Sequence, residues 1–240
     1  MSVPIIILGK SGTGKTMSFR NFGRDELAVI NVQGKWYPFF DEEFTTFNVP
    51  EWQGKVLART GKKPLKHEAV RKYLERDDGT PPAVVVDDAG YMITEMFMRL
   101  QDEPKYQKNP YQLYTDIARA IYFLMDDITT DGQVDRIVYW VFHEDQTVED
   151  GAVPMTVGKL LNEKVNLLGM CTVTLRSMFD GENGYVFEVS GANGKTPPKL
   201  FEDSPIEQFG EYKVANDLKE VDAAIRRKYR KPPNDGRKSE

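Results

Sequence analysis

Gly9-Lys10-Ser11-Gly12-Thr13-Gly14-Lys15-Thr16 sets glycines, a lysine and a hydroxyl at the spacing G-x-x-x-x-G-K-[ST]. The residue types suit one task, holding a chain of phosphates. Glycines let the backbone curl until successive N–H groups face an anion. Lys15 reaches the outer phosphates, and the Thr16 hydroxyl is a hard oxygen donor for Mg²⁺. Residues Gly9 through Met17 are therefore the candidate cofactor-binding run, with ATP as the cofactor. A second carrier of chemistry is Ala83-Val84-Val85-Val86-Asp87, an apolar run closed by an acid. An acid in that place holds Mg²⁺ beside the phosphates, so Thr16 and Asp87 form the candidate metal pair. Asp88 either polarises an attacking water or caps the next helix. His143 ends the apolar run Arg136–Phe142. It reads either as a sensor of the terminal phosphate or as a surface histidine at a strand end. Lys15, Asp87, Asp88 and His143 are the candidate catalytic set.

These side chains need elements to aim them. Val3–Leu8 and Leu27–Val32 are β-branched apolar runs of the kind buried in parallel sheets. Met17–Phe22 reads as the start of a helix, which would lend its positive end to the phosphates. Residues 33–66 read as irregular, Lys66–Arg76 as helical, and Asp77–Pro82 as a turn. Tyr91–Leu100 and Tyr111–Asp127 read as helices, the second with Ile117, Ile121, Leu124 and Ile128 on one face. Gln101–Pro110 and Glu144–Pro154 read as polar loops. Val165–Arg176 and Gly184–Val189 predict later strands, joined as a hairpin across Asp180–Gly184, and Val214–Tyr229 predicts an amphipathic helix. Strands alternating with helices imply an α/β fold with a mostly parallel sheet covered on both faces. No linker divides residues 1–229, so they read as one domain, and residues 230–240 as a disordered tail.

Composition sets outer limits. The chain has 240 residues, 40% hydrophobic and 29% charged, which fits a globular domain. Its formal net charge of −5 gives no global pull toward nucleic acid, so any such contact needs a local basic patch. The one cysteine, Cys171, excludes an intrachain disulfide framework and reads as core. No apolar run reaches the ~20 residues that span a bilayer, and the apolar N-terminus lacks the basic leader of a signal peptide. The expected location is cytoplasmic, with no membrane partner.

The order of these parts resembles the RecA-type ATPase core, and more closely the phage-encoded P-loop ATP-binding proteins of that superfamily. Among these are single-strand annealing and recombination proteins. The matching pieces are GKSGTGKT, INVQGKWYPF, VVVDD, VFHEDQTVEDG, VGKLLNEKV and VANDLKEVDAAIRRKY, spread over residues 5–229. The resemblance implies a three-layer P-loop NTPase with a RecA-like central sheet and a small C-terminal β-hairpin and helix extension. It implies a Mg²⁺-dependent ATPase acting in phage recombination, annealing or replication in the host cytoplasm. It also implies single-stranded DNA, a phage single-strand-binding protein and further copies of the chain as partners. The resemblance puts DNA contact on the two loops, and in the first of them Lys105, Tyr106, Lys108 and Tyr111 interleave charge and rings. The same loops carry Asp102, Glu103, Glu144, Asp145, Glu149 and Asp150, and read equally as solvated surface. Lys195 and Lys199 read as cations for a neighbouring subunit's γ-phosphate or as a basic turn.

Two departures from the family matter. RecA proteins activate water with a glutamate after the second strand, where this chain has Asn31-Val32-Gln33-Gly34-Lys35. A glutamine positions water but is a poor base, so slow hydrolysis is expected, with Asp88 or Glu42 contributing. The RecA segment that docks onto the next subunit has no counterpart ahead of Gly9, which speaks against filaments of that type. A nucleotide-regulated partner switch or a small-molecule kinase is the alternative function. No arginine-rich lid of the kind a kinase needs is visible.

Overall fold

A computed structural model of the chain describes residues 2–39, 44–76, 79–130, 136–145, 152–158, 160–189 and 213–229. Its centre is an eight-stranded sheet. The strands are β1 (Val3–Gly9), β2 (Leu27–Asn31), β3 (Thr45–Asn48), β4 (Ala83–Asp87), β5 (Ile137–His143), β6 (Val173–Asp180), β7 (Gly184–Glu188) and β8 (Lys213–Ala215). Their spatial order is β3-β2-β4-β5-β1-β6-β7-β8. Pairings from β3 across to β6 are parallel, and β7 and β8 add antiparallel to that edge.

Alternation along the strands builds two cores. Ile6, Leu8, Val84, Val86, Val138 and Trp140 face one side, under α2 (Lys66–Leu74), α3 (Gly90–Leu100) and α5 (Pro110–Thr130). Ile5, Ile7, Val85, Tyr139 and Val141 face the other, against Phe19 and α6 (Leu218–Tyr229). The central strands are apolar on both faces because both are covered. The result is a mixed, mostly parallel α/β sheet compatible with three layers. Ile117, Ile121 and Leu124 are buried on the inner face of α5, and Ile128 packs against the same core. On the opposite face, the Tyr139 hydroxyl donates to Asp222 at 2.7 Å and anchors α6 to the sheet. Among the described residues no helix is long and apolar enough to cross a membrane.

Several segments differ from expectation. Residues 33–66 contain β3 and α1 (Val49–Thr60). Asn48 caps α1 by accepting from the Glu51 N–H at 3.1 Å, and Gly61 at φ 70° closes it. Pro50, a turn signal in isolation, occupies the first turn, where its missing N–H costs nothing. The loop Gln101–Pro110 holds a short helix, α4 (Pro104–Lys108). The helix foreseen over Val214–Tyr229 starts only at Leu218, because Lys213–Ala215 pairs with β7. The strand foreseen from Val165 starts at Val173, after a wide π-helical turn at Leu161–Val165 and a tight 3-10 turn at Leu167–Met170. The β6–β7 hairpin is present, with Asp180 paired to Gly184. After the glycine loop the expected helix is only a 3-10 turn, Thr16–Phe19, because the chain must re-enter the sheet at Leu27. Glu42, Lys195, Lys199, most of the loop after Asp145 and residues 230–240 lie outside the described residues, as do Asp77 and Asp78.

Candidate functional site

The carboxyl ends of the parallel strands converge on a cleft of about 350 Å³. Strand order decides what meets there. β5 lies between β1 and β4, so His143 stands between the glycine loop and the acid pair. Gly12, Gly14, Lys15, Thr16, Asp87, Asp88 and His143 all line this one cleft.

The glycine loop is held from behind. Ser177 of β6 donates to the Thr13 carbonyl at 2.6 Å, and Asn216 donates to Ser177 at 3.0 Å. Thr13 donates to the Lys10 carbonyl at 2.9 Å. A side chain at Gly9 would lie 2.6 Å from the Ser177 carbonyl, so the strand approach demands glycine there. Gly14, at φ 90°, packs under the Tyr185 ring, and an added Cβ would lie 3.0 Å from it. Gly9, Lys10 and Thr13 thus brace the loop, while Ser11, Gly12, Gly14 and Met17 line the cleft.

Lys15 is 6% exposed, and its ammonium donates to the carbonyls of Gly9 at 2.8 Å and Lys10 at 2.7 Å. It lies 3.5 Å from His143 Nδ1. Burial lowers its pKa to about 8, against the pull of Asp88, Asp87 and Glu144. The Thr16 hydroxyl faces both oxygens of Asp87 at 3.4 and 3.5 Å, longer than a strong hydrogen bond. Asp87 is 7% exposed. Burial pushes its carboxyl up to about 7, the Asp88 charge adds to the rise, and Thr16 and Lys15 oppose it. A buried carboxylate beside a hydroxyl suits a hard divalent cation that keeps most of its other ligands as water and phosphate. Among the described residues no group of three or more His, Cys, Asp or Glu is placed to hold a metal ion.

Asp88 does not cap α3; the helix has no side-chain cap bond. Its carboxylate instead meets Lys35 Nζ at 2.7 Å and His143 Nε2 at 3.3 Å. Burial alone would raise its pKa, but the hydrogen bonds from His143 and Lys35 outweigh this and hold it below the usual carboxylate range. The backbone of Asp88 sits at φ 60°, a conformation asparagine and aspartate tolerate better than most residues. His143 joins the two halves of the site, with Nε2–H donating to Asp88 and Nδ1 facing Lys15. The Tyr91 ring stands edge-on to it at 6.2 Å.

No family model matches the chain, and no curated protein matches it. The site's chemistry therefore rests on its own geometry.

Some expected residues lie elsewhere. Gln33 turns away and accepts from Lys66 Nζ at 2.8 Å. Tyr106 is 3% exposed, with its hydroxyl on Asp116 at 2.9 Å. Its ring is no stacking surface. Lys105 lies over that ring at 4.2 Å and 3.8 Å from Glu103, whereas Tyr111 is 84% exposed. Glu144, counted among the acidic loop residues, is buried and paired with Arg176 at 2.6 Å. Lys35, Ser177, Tyr185 and Asn216 were not foreseen. For Lys35 a signal existed, a glycine after Asn31 where a tight turn would present the next side chain.

Proposed function

We propose that this chain is a Mg²⁺-dependent nucleoside triphosphatase that binds ATP through Gly9–Met17 and hydrolyses it slowly. One observation carries the reading: Lys15 is buried within its glycine loop, in one cleft with the Thr16–Asp87 pair. The loop N–H groups hold phosphate oxygens, and Lys15 exchanges the Gly9 and Lys10 carbonyls for them. Thr16 and Asp87 hold Mg²⁺, which when bound neutralises charge on the outer phosphates. The short 3-10 turn after the loop has little dipole, so the cradle relies on its N–H groups and Lys15. Slow turnover follows from the acids available. The Asp88 carboxylate is held by Lys35 and His143 and is a weak base, and Gln33 points away. His143, touching both the Lys15 and Asp88 ends, is the sensor that a change at the terminal phosphate would move. The test is an equilibrium titration with ATP and Mg²⁺, followed by phosphate release. Micromolar ATP binding that Lys15→Ala abolishes supports the reading, and no binding ends it.

A role on single-stranded DNA is a second proposal, favoured by the exposed ring of Tyr111 near Lys108. Tyr106 takes no part in it, because its ring is buried. Stimulation of ATP turnover by single strands supports it. Nucleotide binding with no response to DNA favours the partner switch.

A further inference from the structure

The cleft has two carboxylates, and a triphosphate entering it meets both. Asp87 has its balancing cation in the proposed Mg²⁺. Asp88 has Lys35, which also lines the cleft and is not part of the glycine loop.

Lys35 is held in an unusual way. Its backbone is pinned, because Asn31 Oδ1 accepts from the N–H of Gly34 at 2.7 Å and of Lys35 at 3.2 Å. Asn31 Nδ2 donates in turn to the Lys35 carbonyl at 2.7 Å. Gly34 at φ 67° makes that turn possible. The side chain is looser: it is 58% exposed, against 15% for its partner Asp88. The root is fixed and the ammonium can move. That ammonium lies 2.7 Å from Asp88 and 5.0 Å above the Tyr91 ring. It is near enough to Lys15 that its charge helps lower the Lys15 pKa.

We infer that Lys35 is a second phosphate-binding cation, paired with Asp88 when no triphosphate is bound and engaged by the γ-phosphate of a triphosphate. The inference rests on the nucleotide reading above and adds the means by which the site distinguishes tri- from diphosphate. An ammonium has three donors, so one remains on Asp88 while another reaches a phosphate oxygen. Position assigns the phosphate. Lys35 contacts the acid wall carrying Asp88 and His143, whereas the glycine loop supplies Lys15 on the far side of His143. The Mg²⁺-side acid precedes Asp88 directly, so this wall faces the terminal phosphate. ADP has no group to reach it, and Lys35 then stays on Asp88. Trp36, the next residue, also lines the cleft and is 98% exposed, so movement of Lys35 changes the surroundings of an indole.

The experiment compares a non-hydrolysable ATP analogue with ADP, each with Mg²⁺, on the full chain by calorimetry, with tryptophan emission as a second readout. The variants are Lys35→Ala and Lys35→Arg. The unaltered protein is expected to prefer the triphosphate and to show an emission change with it that ADP does not produce. Lys35→Ala is expected to lose ~10- to 100-fold of triphosphate affinity, the worth of one charge-assisted hydrogen bond, and to keep its ADP affinity. Lys35→Arg should retain most of the preference. Equal loss for both nucleotides would make Lys35 a support of the loop and overturn the inference. So would an unchanged triphosphate affinity, or equal affinities in the unaltered protein. Failure of the unaltered protein to bind either nucleotide would remove the nucleotide reading itself, a distinct result. Because Lys35 is largely exposed, a folded variant is expected, and its melting temperature checks this.

Discussion

The cleft at the strand ends and the Gln101–Tyr111 segment are both groups of charged and polar residues. In the cleft, residues from distant parts of the chain converge: Lys15, Lys35, Asp87, Asp88, His143 and Tyr185 share one space. In the other segment the partners are local. Lys105 reaches Glu103 and the neighbouring Tyr106 ring, and Tyr106 bonds to Asp116 at the start of α5. The first arrangement buries two titratable groups, Lys15 and Asp87, whose pKa values burial shifts to about 8 and about 7. Burying such groups is costly, and shifted groups gathered in a cleft make it a candidate site. The second pairs its groups along one stretch of chain, with Lys108 and Tyr111 among the residues that face outward. Long-range convergence, more than residue type, separates the candidate site from a solvated surface here.

The largest test of this contrast is Lys15→Ala. Removing the one cation inside the cradle should cost about 4 kcal/mol of ATP affinity, or ~1,000-fold. Titration calorimetry measures it. A loss under about tenfold would mean that the cradle does not depend on the converging charge.

Asp87→Asn should affect two quantities in opposite directions. Mg²⁺-dependent phosphate release should fall by ~100-fold, as when a preorganised electrostatic group is lost. Stability without metal should rise. The Asp87 carboxyl titrates at about 7 when folded, well above its ordinary value of 3.8. The folded protein therefore holds a proton that the unfolded chain releases. Its contribution to stability is present below pH 3.8 and is lost as pH rises to about 7. Melting temperatures without metal should separate between the variant and the unaltered protein as pH climbs through that window. Parallel curves would remove the buried-charge account of the site.

Much of this contrast was legible in the sequence, for reasons that differ by residue. The glycine loop and the Ala83–Asp87 strand are encoded locally, in spacing and in an unbroken apolar run, so their positions followed directly. The parallel sheet followed from apolar strands alternating with helices. The cap at Asn48 with Pro50 behind it was passed over because proline reads as a turn signal until the first helical turn around it is known. Lys35 was obscured by an expectation that an acid or amide would act after β2. Its role depends on a turn closed by Asn31 and on an acid many residues away. Ser177 and Asn216 carry no motif; the β6 register brings Ser177 behind Thr13, and the β7–β8 pairing brings Asn216 to Ser177.

Ser177→Ala tests that rear support. It removes the bond to the Thr13 carbonyl and leaves Asn216 without its acceptor. The expected cost is about 1 kcal/mol of stability, with about a fivefold loss of ATP affinity if the loop loosens. A change in melting temperature with unaltered affinity would mean that the loop keeps its shape without this clasp.

The smallest expected effects lie in the Gln101–Tyr111 segment, where the comparison is most exposed to refutation. If single-stranded DNA binds there, Lys108→Ala should flatten the plot of log affinity against log salt by about 0.7, the value for one phosphate contact on a single strand. Lys105→Ala should leave the slope almost unchanged, because that ammonium is engaged by Glu103 and the Tyr106 ring. Tyr106→Phe should leave DNA affinity alone and lower stability by about 1 kcal/mol through loss of the bond to Asp116. Tyr111→Ala should instead weaken binding and spare stability, since its ring is 84% exposed. Fluorescence anisotropy with labelled single strands at several salt concentrations, with ATP and Mg²⁺ present, measures all four. Equal slopes for the two lysine variants would show that local pairing does not withdraw Lys105 from phosphate. DNA affinity that falls with Tyr106→Phe would show that the buried ring supports the binding face. Either result would bring this segment closer to the cleft in kind. No binding even at low salt would leave it a self-satisfied surface and favour a protein partner for the nucleotide switch.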